Sequence, residues 1–459
     1  MKKLAVLVGI ISFILLSVCF AEDENPVSFS GRIATLYQLR WQGDESDQDL
    51  AQYLALDADN LWKNKLDAAL YLRLWEDIDG RYQAQGNRTY YEYEGISDTY
   101  TRRVNDRIYY GYIDIKNIIG TSKFRLGRQY LYDIEGIQFD GLRWGIEDFK
   151  GLDALAFFGQ PVSYYSETDG NRTYGGSVAY KFFPELKLGL DYLKYSEDSI
   201  SDTYLALLMQ NRFADRLRVY AKYAYLDSDP RDVMVQANYT NPHAAWNLNA
   251  TYYQQLKKLE QYSNQFSPYY TALSDYAPFH QINITLYKEL TPWVAGEAGF
   301  TKRQLAHSDD ESEYNRAYDL YYATLIFRDI GVRGLDFSLT GQRWLTKSYT
   351  RTTSYYDDAT ATTPTTATIT MPSDSVTSFG AELKYQWQKK LTVNLGTDYS
   401  QYKYDYDTDS EKTKVRTVYT KCRWKINKNI DWYTKVSREK QSDEEQGYYK
   451  VRSNITYNF

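Results

Sequence analysis

Tyr448 to Phe459 reads Y-Y-K-V-R-S-N-I-T-Y-N-F, and its chemistry sorts by parity. Tyr449, Val451, Ser453, Ile455, Tyr457 and Phe459 share one parity; Lys450, Arg452, Asn454, Thr456 and Asn458 share the other. Only an extended strand turns that alternation into two faces, because successive side chains of a strand point to opposite sides while a helix repeats about every 3.6 residues. The same period recurs along the chain. Leu186, Leu188, Leu190 and Tyr192 oppose Lys187, Gly189 and Asp191. Phe379, Ala381, Leu383, Tyr385 and Trp387 oppose Ser378, Gly380, Glu382, Lys384 and Gln386. Near the start, Val27, Phe29, Ile33, Thr35, Tyr37, Leu39 and Trp41 oppose Ser28, Ser30, Arg32, Gln38 and Arg40, with Ala34 and Leu36 as apolar intrusions.

The connections fall into two kinds. Short turns are expected at Trp62–Lys65, Phe183–Glu185, Ala214–Asp215, Leu290–Pro292, Gly331–Gly334, Lys389–Lys390 and Asn427–Asn429, most of them carrying Gly, Pro, Asn or Asp. Long polar connections are expected at Glu76–Thr101, Pro161–Thr173, Gln255–Pro278, Arg303–Ser312 and Ser348–Asp374, the last including a Thr/Ala-rich stretch, Ala359–Pro372, read as a surface loop, with a loop folded into the pore as the rival reading. This parse predicts an all-β chain, an up-and-down antiparallel barrel of roughly 22 strands, with about 18–22 compatible.

A soluble β-sandwich that happens to end on Phe would share the alternation. The rest of the chain favours a membrane barrel. Charged residues make up 25% and aromatics 17%, with 48 Tyr, and after residue 21 no apolar run is long enough for a membrane helix. A barrel needs no such run, since only alternate residues of each strand face lipid, and aromatic girdles at the two rims would take up many of the tyrosines. An aromatic track inside the lumen is the rival use for them. The terminal aromatic pattern resembles the C-terminal strand of Gram-negative outer-membrane β-barrels. That resemblance implies that Tyr457 and Phe459 act as an assembly signal read by the barrel-assembly machinery.

Met1 to Ala21 has the layout of a cleaved secretory signal: Lys2 and Lys3, an apolar core from Leu4 to Val18, then Cys19-Phe20-Ala21. A lipoprotein site at Cys19 would want a small residue where Val18 stands. Residues 22–459 are read as one outer-membrane β-barrel domain, with no plug preceding the first strand. Cleavage would leave Cys422 as the single thiol and so no internal disulfide. It would also move the formal net charge from −6 to −8, which gives no footprint for nucleic acid. His243, His280 and His307 are scattered, with no haem-attachment or zinc spacing, so neither cofactor nor metal is expected. Nor does any nucleophile–His constellation mark an enzyme.

Phe124-Arg125-Leu126-Gly127-Arg128-Gln129, followed by Gly136 to Trp144, resembles a segment of alginate-export-type and related outer-membrane porins. The resemblance covers about a twentieth of the chain and implies a porin-like barrel, with polysaccharide export as one implied activity. Arg128 falls on the apolar parity of its strand, where a charge at mid-membrane depth costs about 2–4 kcal/mol. The expectation is that a bulge near Gly127 turns it into the lumen; a place near the rim is one alternative, and a structural ion pair with a neighbouring lumen carboxylate is another.

The polar parity carries the remaining candidate pore-lining cations: Arg32, Arg125, Lys187, Arg218, Lys222, Lys384, Lys421, Arg423, Lys425, Lys435, Lys450 and Arg452. Acids read on that parity are fewer (Asp67, Asp191, Glu297, Asp336, Glu382, Asp431 and Glu439), and the loops, including Asp44–Asp49, hold much of the acidic excess. A basic lumen concentrates anions, unless its charges pair across the wall. The expected function is a porin passing small hydrophilic solutes, mildly preferring anions, in a lipid bilayer. The alternative is a sleeve around a periplasmic multihaem cytochrome. A barrel of about 22 strands without a plug would need inward-folded loops to narrow it.

Overall fold

The computed structural model describes residues 27–43, 45–78, 104–118, 120–162, 170–197, 200–213, 216–259, 276–312, 315–355, 365–371, 373–405 and 410–459. The expected signal segment lies outside them.

The first eight strands are β1 (Ser28–Gln42), β2 (Glu45–Asn60), β3 (Leu66–Asp77), β4 (Val104–Lys116), β5 (Ser122–Leu131), β6 (Ile137–Phe149), β7 (Leu152–Pro161) and β8 (Arg172–Phe183). Next come β9 (Leu186–Glu197), β10 (Ile200–Phe213), β11 (Leu217–Leu226), β12 (Asp229–Asn241), β13 (Trp246–Gln255), β14 (Phe279–Thr291), β15 (Val294–Leu305) and β16 (Tyr318–Phe327). The last are β17 (Leu335–Thr346), β18 (Tyr349–Tyr355), β19 (Thr365–Met371), β20 (Ser375–Trp387), β21 (Leu391–Asp405), β22 (Ser410–Lys425), β23 (Ile430–Gln441) and β24 (Tyr448–Asn458).

Consecutive strands pair antiparallel, and β1 returns to β24 from Arg32↔Asn458 to Trp41↔Tyr449, closing a sheet of 22 strands into a barrel. Strand β17 pairs directly with β20; β18 and β19 form a separate two-stranded ribbon between them. Part of the Thr/Ala-rich stretch expected to be loop is therefore strand β19, because β-branched Thr and Ile suit an extended ribbon. Residues 359–364 and 372 lie outside the description.

Facing residues of an antiparallel ladder share a side, so one exposed apolar row per strand identifies the exterior. Val418, Trp424, Leu395 and Val436 form such a row, and Leu126, Leu142 and Phe158 form another. Apolar side chains left exposed in rows on every side, with polar ones facing inward, make the outer surface of this barrel a lipid-facing one. The start of β1, the C-terminus and the connections 61–65, 150–151, 184–185, 292–293, 328–334, 388–390 and 426–429 lie at one end, here the turn end. The strand ends joined through 78–103, 162–171, 256–278, 306–317 and 347–374 lie at the other, the loop end.

The closing seam is tight. Gly31 and Phe459 exchange backbone hydrogen bonds of 3.0 Å in both directions. A Cβ on Gly31 would sit 2.4 Å from the Phe459 ring, so only glycine lets that ring lie on β1.

Candidate functional site: the inner wall

Twelve of the thirteen expected pore-lining residues sit on the inner parity of their strands: Arg32, Arg125, Lys187, Arg218, Lys222, Lys384, Lys421, Arg423, Lys425, Lys435, Lys450 and Arg452 each alternate with an outward-facing row. Many are paired. Arg125 donates to both oxygens of Asp114 at 2.7 and 2.9 Å, Lys222 meets Asp232 at 3.2 Å, and Lys187 contacts Asp153. Lys384 meets Asp336 at 3.5 Å, Lys421 meets Glu382 at 2.9 Å and Arg423 meets Asp431 at 2.5 Å. Inner acids are thus more numerous than expected from sequence. Asp47 and Asp49, read as loop residues, belong to β2 and pair with Arg40, the latter at 3.0 Å. Their polar neighbours hid a strand that the ladder to β1 imposes.

Six of the twelve make no ion pair among the described residues: Arg32, Arg218, Lys425, Lys435, Lys450 and Arg452. Two of them join Lys421 in a row. Lys421 lies directly opposite Lys435 on the neighbouring strand, and Lys435 lies directly opposite Arg452 on the next. Three cations side by side across β22, β23 and β24 have one carboxylate partner, Glu382. Like charges directly opposed in a sheet repel, and Glu382 supplies one negative charge against these three. Lys435 also lies 5.2 Å from the Tyr419 ring centroid.

Arg128 departs from expectation. Strands β5 and β6 pair without a register shift, and Leu126↔Leu142 face outward, so Arg128↔Asp140, two residues along, face outward too. Instead of turning inward, Arg128 stays on the outer face and donates to both Asp140 oxygens at 2.8 and 2.7 Å. Pairing replaces the bulge as the way the charge is accommodated. Gly127 does have an unusual backbone, φ 131°, and a Cβ there would meet the Gly111 carbonyl oxygen at 2.2 Å. It faces Gly141, where a Cβ would meet the Phe158 carbonyl oxygen at 2.2 Å. Fully buried Gln129 donates from Nε2 to the Gly127 and Gly141 carbonyls at 3.4 and 3.2 Å. The motif therefore fastens β4 to β7 together.

The feature missed by sequence reasoning is the connection 132–136, at the loop end between β5 and β6. It folds inward. Ile134, 8% exposed, packs in a cluster with Leu131, Ile137, Phe139 and Phe157 and with Leu193, Tyr195, Tyr204, Ala206, Ala224 and Leu226 of β9 to β11. Asp133 accepts from Arg143 at 2.7 Å, and Glu135 accepts from Arg231 at 2.9 Å and lies 4.0 Å from Lys222. The segment is held by apolar burial in the middle and by an ion pair on each flank. Its one local signal is Ile134 between two acids, a pattern that exposed turns also show. Below it, toward the turn end, a recess of about 640 Å³ is lined by Lys181, Glu185, Lys187, Gln210, Arg212, Arg218 and the amides of Gln236, Asn238 and Asn249.

Tyrosines also use the inner wall. Tyr71 stacks on Tyr53 and Tyr109 at 6.2 and 4.9 Å, Tyr110 and Tyr112 lie 5.6 Å apart, and Arg125 covers Tyr112 at 3.5 Å. Girdle positions do not absorb these. Among the described residues no group of three or more His, Cys, Asp or Glu is arranged to hold a metal ion.

No protein-family model matches the chain, and no curated protein matches it; the alginate-export resemblance of residues 124–144 gains no support. Similar solved structures include Acinetobacter baumannii OccAB2, at 12% identity and TM-score 0.44, covering 94% of this chain and 98% of that one. Pseudomonas aeruginosa OccK2 (OpdF) is similar at 12% identity and TM-score 0.43, with 94% and 97% covered. Pseudomonas aeruginosa OccK8 (OprE) is similar at 10% identity and TM-score 0.40, with 94% and 98% covered.

Proposed function

We propose that this chain is an outer-membrane porin through which small hydrophilic solutes diffuse passively, with a mild preference for anions. The closed 22-strand barrel with an apolar exterior supports the membrane channel. The observation that carries the anion preference is the row Lys421–Lys435–Arg452, which has one carboxylate partner for three cations. In a water-filled bore with low-dielectric walls such a row raises the local anion concentration, and salt screens it over about 10 Å at roughly 0.1 M. Arg218 and Lys181 add positive charge to the recess, where neighbouring amides offer hydrogen bonds to a solute's polar groups. The turn end faces the periplasm and the loop end the exterior, and Tyr457 and Phe459 serve as the assembly signal.

The segment 132–136 counts against a sleeve for a haem protein, since it lies within the bore that such a sleeve must leave open. Planar-bilayer recording on purified protein tests the reading. A reversal potential displaced toward anions in a salt gradient, shrinking as ionic strength rises, is expected; a cation-selective or non-conducting barrel would overturn it.

A further inference from the structure

The exterior carries a second basic surface that the channel does not use. On β22, Lys412, Lys414 and Arg416 continue the outward parity of Val418 toward the loop end, and all three are exposed. On β23, Arg438 and Lys440 continue that of Val436. Arg416 lies directly opposite Lys440. None of the five makes an ion pair among the described residues; Arg416 and Arg438 instead lie 5.8 and 5.4 Å from the ring centroids of Tyr399 and Tyr449. Tyr449 in turn stacks on Trp41 at 4.9 Å. The connection 442–447 between β23 and β24 carries Asp443, Glu444 and Glu445, and Glu444 accepts from Gln42 Nε2 at 3.3 Å.

Depth along the barrel selects the occupant. The apolar run Val418, Thr420, Cys422, Trp424 and Ile426 spans eight residue steps, about 26 Å along the strand and about 20 Å along the membrane normal at the usual tilt. The basic residues begin where that run ends. They therefore stand at headgroup level and beside the barrel, in contact with lipid and away from the bore. Two directly opposed cations that lack a protein counter-charge are destabilising unless an anion sits between them. Basic clusters at this depth recognise anionic headgroups, and adjacent exposed aromatic faces suit a sugar ring.

We propose that Lys412, Lys414, Arg416, Arg438 and Lys440 form a binding site for a phosphorylated glycolipid of the outer leaflet, of the lipid A type, whose phosphates bridge β22 and β23. This rests on the loop end facing outward, which intact-cell labelling checks separately, and its readout is lipid retention, independent of ion selectivity. The purified barrel is exchanged into detergent with bis-phosphorylated lipid A, mono-phosphorylated lipid A or phosphatidylglycerol, and bound lipid is counted by native mass spectrometry. The wild-type protein should retain the bis-phosphorylated lipid best. The triple variant Lys412→Gln, Arg416→Gln, Lys440→Gln should lose about a hundredfold in affinity, from roughly fivefold per removed charge. The turn-end control Lys389→Gln should match the wild type. If the triple variant does not fold, as judged by heat-modifiable migration, the single variant Lys412→Gln at the strand tip should still weaken retention several-fold. Undiminished retention by the variants overturns the site, and equal retention of phosphatidylglycerol overturns the glycolipid.

Discussion

Arg128 and Asp140 form a bidentate pair on the lipid-facing parity of β5 and β6. Either charge alone would be left facing a poor solvent for ions, whereas losing both removes the problem. Arg128→Ala should destabilise the barrel by about 1–3 kcal/mol, and Arg128→Leu with Asp140→Leu should recover most of that loss. Urea unfolding followed by heat-modifiable migration checks this; a double variant as weak as the single one would mean that the pair is not what holds Arg128 there. Inside the barrel, charge pairs and unpaired charges should behave differently. Lys421→Gln with Glu382→Gln removes a neutral pair and should leave the reversal potential nearly unchanged. Lys435→Gln with Arg452→Gln removes two unpaired cations from the same row and should shift it toward cations, most at low salt. Equal shifts in the two double variants would show that the row carries no net field.

Among the elements, the connection 132–136 folds into the bore. Its Ile134 is buried in a cluster that includes residues of β7, β9, β10 and β11, and its two acids are tied to Arg143 and Arg231. Replacing Asp133 and Glu135 together by Ala removes both ties and should raise single-channel conductance and its noise, while the barrel stays folded. Phe139→Ala in the same cluster should cost about 3–5 kcal/mol and loosen the segment as well. Unaltered conductance in the acid-free variant would mean that the segment does not narrow the path. The seam of β1 and β24 makes a separate prediction. Phe459→Glu, or Gly31→Val, which drives a side chain into that ring, should reduce the yield of heat-modifiable barrel far more than Asn458→Glu does. Equal yields from the two terminal variants would remove Phe459 from the assembly signal.

For the whole molecule, the gathering of the long connections at one end gives the expected orientation. In a Cys422→Ser background, a cysteine at Asp443 should react with a membrane-impermeant maleimide on intact cells, and one at Lys428 should react only after permeabilisation. The opposite pattern would invert the barrel. Cys422 itself, on the outward row between Thr420 and Trp424, should resist water-soluble thiol reagents in the membrane-embedded protein.

The strand count, the exterior rows, the two kinds of connection and the inner parity of Lys421, Arg423 and Lys425 were all legible before any coordinates, because a period of two is a local property that each strand displays alone. Local pattern also places Arg128 on the outer row, and the bulge invoked to remove it was an error of energetics: its partner Asp140 stands twelve residues away and meets it only across the β5–β6 ladder. Which cations keep a net charge is likewise non-local. Lys421 finds Glu382 two strands away, while Lys435 and Arg452 make no ion pair among the described residues. The inward fold of 132–136 depends on an apolar surface assembled from β9, β10 and β11, and Ile134 has no reason to turn inward until those strands have closed beside it. A barrel's surfaces follow from each strand's own alternation, but the contents of its lumen are set by contacts between strands, which no single stretch of chain encodes.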